Sequence, residues 1–174
     1  ISRLNIVFAF KDQKLFLLGD DYIPQKNEYL LNHARSGIIM ALRAALPQGG
    51  RVGVVVYNCY TVANAVVQAG CEPMFVDMAQ LAELDIDAFV LTNLFGIRNN
   101  VNTIRQVIGK IPIIVDNAHG FGLPNEGDFT VYSINQGKFP ALGEGGILVV
   151  NNQKYAEHVK QQYEQLPIYS IEQE

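Results

Sequence analysis

The sequence is poor in the features that mark several large protein classes. It has only two cysteines, Cys59 and Cys71, which form neither a CxxC pair nor a disulfide framework, as suits a reducing compartment. His33 and His158 lie far apart and show no ligand spacing with those cysteines, so no metal site is expected. No apolar run approaches the ~20 residues of a membrane span. Lys and Arg number 13 against 17 Asp and Glu, without a basic cluster, and the net charge of -4 argues against a nucleic-acid partner. No signal-peptide pattern is present, so a cytoplasmic protein is expected. The chain opens on Ile1 rather than Met, so its termini are not taken as natural ends. There is no G-x-x-x-x-G-K-[ST], no G-x-G-x-x-G after the first strand and no G-x-S-x-G. Nucleotide-binding and serine-hydrolase readings therefore find little support.

What is present is apolar. Hydrophobic residues make up 49% and charged residues 17%, a balance that describes a folded domain rather than a disordered chain. The 174 residues suffice for one domain with a sizeable core. Residues 1–30 read as an arm, with a possible hairpin from runs 5–10 and 14–18 and a loop marked by Gly19, Asp20, Asp21 and Pro24. From there to 166 strand and helix patterns alternate. Helices are predicted over 36–46 with Ser36 as N-cap, then over 62–69, 99–108 and 154–165. Strands are predicted over 51–57, 73–76, 88–92, 111–115, 129–134 and 147–150. Alternation of this kind predicts an α/β domain of three layers, a mostly parallel sheet with helices on both faces and right-handed crossovers. Residues 167–174 read as a linker or tail.

Chemistry concentrates between Ile113 and Gly146. One apolar run, IIVDNAHGFG, delivers Asp116 and His119; a second delivers Ser133 and, just beyond it, Lys138. A lysine and an acid at successive strand ends suit pyridoxal phosphate, because the amine condenses with the cofactor aldehyde and the carboxylate keeps the pyridinium protonated. Each has a plainer reading: Lys138 as a loop lysine, Asp116 as a turn cap, His119 as a structural hydrogen-bonding residue and Ser133 as a buried strand serine. The glycines at 143, 145 and 146 either admit a bulky group close to the backbone or serve a tight turn. The segment NHARSG opens a helix, and free N–H groups at such a start bind phosphate, which makes Arg35 and Ser36 candidates. Tyr60 is a candidate to stack on a flat ring, though an aromatic there equally serves the core. Ligands of parallel sheets bind beyond the carboxyl ends of the strands, which would gather Asp116, Lys138 and segments 57–61 and 93–96 at one crevice.

At these residues the sequence resembles the DegT/DnrJ/EryC1/StrS sugar aminotransferases, of the aspartate-aminotransferase fold (fold type I), over roughly residues 32–160. The resemblance is carried by DNAH, with Asp116 and His119; by SINQGK, with Ser133 and Lys138; by Gly143 to Gly146; and by AVVQAGCEPMFVDM. It implies the large domain of a homodimeric enzyme using pyridoxal 5'-phosphate. Lys138 would bond the cofactor and shuttle protons, Asp116 would pair the ring nitrogen, and His119 would contact the ring or its hydroxyl. Ser133 and the Arg35–Ser36 backbone would hold the phosphate. The substrates implied are a nucleotide-linked keto-sugar and an amino donor, usually glutamate. Sugar-dehydratase relatives carry histidine at the lysine position, so Lys138 favours transamination.

The sequence also departs from the family pattern. The family's aromatic aligns with Thr61, beside Tyr60. Asn135, Gln136 and Gly137 replace the usual His-x-Thr, Phe139 replaces a polar residue, and the family's smaller C-terminal domain is not expected within these 174 residues. Two other functions therefore stand beside the aminotransferase: a truncated or divergent domain of this fold that binds or assembles without turnover, and a different pyridoxal-phosphate reaction on the same fold.

Overall fold

A computed structural model describes residues 25–141 and 145–167. The hairpin expected before residue 20 and Gly143 lie outside the described residues. Seven strands form one sheet: β1 (Glu28–Leu31), β2 (Arg51–Val55), β3 (Glu72–Val76), β4 (Ala88–Thr92), β5 (Ile113–Asn117), β6 (Phe129–Ser133) and β7 (Gly146–Val150). Their order is β1-β7-β6-β5-β4-β2-β3. The five from β3 to β6 are parallel, whereas β7 runs antiparallel to both β6 and β1. Among the described residues four α-helices accompany them: α1 (Ala34–Ala45), α2 (Tyr60–Gln68), α3 (Val101–Ile108) and α4 (Ala156–Glu164).

The strands read as nearly continuous apolar runs because both faces of the sheet are covered. On one face Val54, Val90, Ile114, Val131 and Leu148 pack with Ile38, Leu42, Val66 and Val159 of α1, α2 and α4. On the other, Phe89, Leu91, Ile113 and Val115 pack with Val101 and Ile104 of α3. Successive residues of β4 and β5 thus serve opposite layers, as strand geometry requires. Ile38, Ile39, Met40 and Leu42 of α1 are essentially fully buried, and each such burial contributes about 1.5–3 kcal/mol against the unfolded chain. A Cβ on Gly37 would come within 2.9 Å of Val131, so α1 presses directly on the sheet.

Strand and helix do not alternate strictly, and the two gaps fall where the sequence pattern predicts no helix. The β3–β4 connection holds only a 3-10 helix, Met78–Glu83, and no helix links β5 to β6. The chain edge also differs: β1 begins at Glu28 and pairs with β7, so the sheet takes in the last residues of the expected arm. Its four residues carry too little alternation to be read beforehand. Ser36 does not cap α1. His33 occupies the N-cap, and Ser36 lies buried within the first turn, its hydroxyl donating to Asn32 Oδ1 at 2.7 Å. No helix among the described residues is long and apolar enough to cross a membrane.

Candidate active site

The parallel strands end together, and their carboxyl ends open onto a crevice of about 250 Å³. Asp116 forms its floor. Parallel pairing sets Thr92 of β4 opposite Asp116 of β5, and the Thr92 hydroxyl donates to Asp116 Oδ2 at 3.4 Å. Thr92 itself accepts from Asn58 Nδ2 at 2.8 Å. The Ala118 N–H donates to Asp116 Oδ1 at 3.0 Å, the turn bond that the plainer reading of this acid anticipates. The residue is only 3% exposed. Burial pushes its carboxyl above the usual carboxylate range; the Ala118 and Thr92 bonds and the charges of Lys138 and His119 oppose this without cancelling it.

Lys138 lines the same crevice from the turn after β6, held by its backbone N–H to the Asn135 carbonyl at 3.0 Å. Its charge is felt at both Asp116 and His119. His119 is pulled below the usual histidine range, first by desolvation and then by Lys138, against the opposing pull of Asp116. Its Nδ1 accepts the Phe95 N–H at 3.2 Å. Ser133, at the end of β6, also lines the crevice.

The start of α1 forms one wall. No side chain caps it, and its first turn carries no acid. Such a helix start draws anions through its free N–H groups and dipole. Arg35 lines the crevice, whereas Ser36 turns away, its N–H donating to the His33 carbonyl at 3.1 Å. The wall is fixed from behind. His33 Nδ1 meets Asn135 Nδ2 at 3.0 Å, and Asn135 Oδ1 accepts the Gly145 N–H at 2.7 Å. A Cβ on Gly146 would stand 2.3 Å from the His33 carbonyl carbon and 2.4 Å from the Ala34 nitrogen. The bulky neighbour that this glycine admits is thus the start of α1.

Five of the seven sequence candidates therefore meet at one crevice: Arg35, Asp116, His119, Ser133 and Lys138. Ser36 and Tyr60 are not among its lining. Tyr60, first residue of α2, is 75% exposed because the helix turns its ring to solvent, while Cys59 and Thr61 on either side line the crevice. Of the segments expected at this crevice, 57–61 supplies Asn58, Cys59 and Thr61 and 93–96 supplies Leu94, whereas sequence reasoning missed Thr92 and Asn135 as lining. Thr92 was within reach, since it ends a strand adjacent to that of Asp116. The His33–Asn135 contact joins residues 102 apart and leaves no local signal.

The residues present fit pyridoxal phosphate: an amine and a buried carboxyl group share one cleft with a helix start that no side chain caps. Residues 20–166 match the profile of the DegT/DnrJ/EryC1/StrS aminotransferase family. A dTDP-4-amino-4,6-dideoxy-D-glucose transaminase from Shigella dysenteriae is 27% identical, over 82% of this chain and 43% of its own. The sugar aminotransferase CalS13 from Micromonospora echinospora superposes with a TM-score of 0.69 at 21% identity, over 77% of this chain and 44% of its own. An E. coli GDP-4-keto-6-deoxy-D-mannose-3-dehydratase with bound hydrated PLP gives 0.66 at 21%, over 75% and 41%. The chain thus spans about two-fifths of the length of the curated relatives it matches. The fold is that of fold type I, and the cofactor of the family is pyridoxal phosphate. With most of its length inside the matched region, the chain belongs to the DegT/DnrJ/EryC1/StrS aminotransferase family.

Proposed function

We propose that this chain is the cofactor-binding large domain of a pyridoxal-phosphate-dependent aminotransferase that moves an amino group, from a donor such as glutamate, to a nucleotide-linked keto-sugar. The observation that carries the reading is the buried Asp116 carboxyl, on the floor of a cleft that Lys138 also lines. The cofactor, when bound, supplies an electron sink for the substrate carbanion. Asp116 would hold a proton on the ring nitrogen. Lys138 would hold the cofactor by its amine and, once displaced, move a proton at the substrate carbon. The start of α1, Arg35 and Ser133 would hold the phosphate, and His119 would meet the ring oxygen.

A homodimer completes this proposal. Tyr57, Phe95 and Ile97, each at least 70% exposed, form apolar surface beside the cleft, suited to a second subunit. Lys138 supports transamination over dehydration, for which relatives carry histidine. A second reading, a domain of this fold that binds or assembles without turnover, is favoured by the displaced Tyr60 and the altered residues at 135–137.

Titration with pyridoxal phosphate should give the visible absorbance of bound cofactor. Borohydride should then fix the cofactor to Lys138, read by peptide mass. Label on another lysine, or none, removes the first reading. Adding glutamate to the loaded protein separates the two: a spectral change of the bound cofactor supports transfer, and no change supports binding alone.

A further inference from the structure

We propose that the backbone amide of Phe95 sets the tautomer of His119, so that the imidazole offers its cleft a hydrogen-bond donor rather than an acceptor. The amide donates to Nδ1 at 3.2 Å. A ring nitrogen that accepts carries no proton, so the neutral ring holds its proton on Nε2. An imidazolium would set a second N–H against the Phe95 amide. Desolvation and then the Lys138 charge disfavour that form as well, while the Asp116 carboxylate favours it.

The amide reaches His119 through an unusual backbone conformation. Phe95 sits at φ 55, a left-handed region rare for a bulky residue and held only where the surroundings over-determine it. Asn93 does so. It is fully buried, and its Oδ1 accepts both the backbone N–H of Asn99 at 2.7 Å and the Asn99 side-chain amide at 3.0 Å, clasping the turn. Its Nδ2 donates to Asn117 Oδ1 at 2.6 Å, and its backbone N–H donates to the Asp116 carbonyl at 2.9 Å. The turn is therefore bolted to the strand end that carries Asp116. The Phe95 ring stacks on the imidazole with centroids 6.1 Å apart. A fixed Nε2–H suits an anionic oxygen, such as the ionised ring hydroxyl of the cofactor. The identity of that oxygen rests on the proposed function; the tautomer does not.

Long-range proton–nitrogen NMR on the cofactor-free protein reads the tautomer directly. His119 is assigned by the signal lost in His119→Gln, well above the ordinary histidine pKa of about 6.5. The expected spectrum shows a protonated Nε2 and a bare Nδ1. A protonated Nδ1, or an averaged pair, overturns the proposal. Phe95→Gly keeps the amide and tolerates positive φ, so the Nε2–H form should persist; its loss would assign the effect to the aromatic ring instead. Asn93→Ala releases the clasp that holds the Phe95 amide against His119 and should average the tautomers, and an unchanged spectrum in the folded variant overturns the proposal. Should Asn93→Ala fail to fold, the wild-type and Phe95→Gly spectra decide alone. Failure of pyridoxal phosphate to bind while the Nε2–H signal stands would reject the cofactor reading and leave this one intact.

Discussion

Replacing Gly146 with alanine should disturb both the stability of the domain and its cofactor. The new Cβ would stand 2.3 Å from the His33 carbonyl carbon and 2.4 Å from the Ala34 nitrogen, where carbon contacts are optimal near 3.5 Å. The blocking atoms are backbone on both sides, helix start against strand, so no rotamer change relieves the clash. The start of α1 must retreat by about 1 Å. Overpacking a well-packed site costs about 1–3 kcal/mol, and a backbone-to-backbone clash belongs at the upper end, about 3 kcal/mol. For a chain of this size that is a fall of roughly 6–12 °C in Tm. The α1 amides would move with it, so pyridoxal phosphate should bind more weakly. The control is Gly70→Ala: φ is +88 there with nothing within 4 Å, so only the left-handed backbone cost of about 1–2 kcal/mol applies. Thermal melts and pyridoxal phosphate titrations on both variants check the argument. If Gly146→Ala is no more destabilising than Gly70→Ala, or binds cofactor as the wild type does, the packing account of this wall is wrong.

Asp116→Asn should raise the melting temperature of the cofactor-free protein at neutral pH and weaken pyridoxal phosphate binding. A carboxyl with its pKa raised by burial destabilises the fold while charged and relieves it as pH falls through the folded value, so the difference from wild type should shrink on acidification. Asp128 should behave with the opposite sign. Burial alone would raise it, but bonds from Asn152 Nδ2 at 2.6 Å, the Ile113 N–H at 2.9 Å and Arg105 Nη2 at 2.6 Å, with the guanidinium charge, hold it below the usual range. Its stabilisation is complete above the unfolded value of about 3.9 and is lost as pH falls through the lower folded value. Asp128→Ala should therefore cost about 3 kcal/mol in urea unfolding at pH 7, with the gap closing below about pH 4; a gap independent of pH would contradict this. Cys59 is exposed in the cleft and Cys71 is buried. One thiol should therefore react with iodoacetamide under native conditions, and pyridoxal phosphate should slow that reaction.

Local chemistry alone determined much of this protein. The β-branched and apolar runs specified the central strands, because strands covered on both faces must be apolar throughout; β4 falls at the residues its pattern indicates. Asp116 and Lys138 stood out because the strand-end rule puts such residues outside a parallel sheet, and one cleft does hold both. Tertiary structure decided what depends on neighbours distant in sequence. β1 is a strand because β7 offers it a partner, not because its own four residues insist. Ser36 turned inward and Tyr60 turned outward because α1 and α2 each present one face to the sheet, and a helix start read locally does not reveal which. The wall of the cleft needs His33, Asn135 and Gly146 to meet across more than a hundred residues. Periodicity carries no record of such meetings, since they follow from how the layers close on one another.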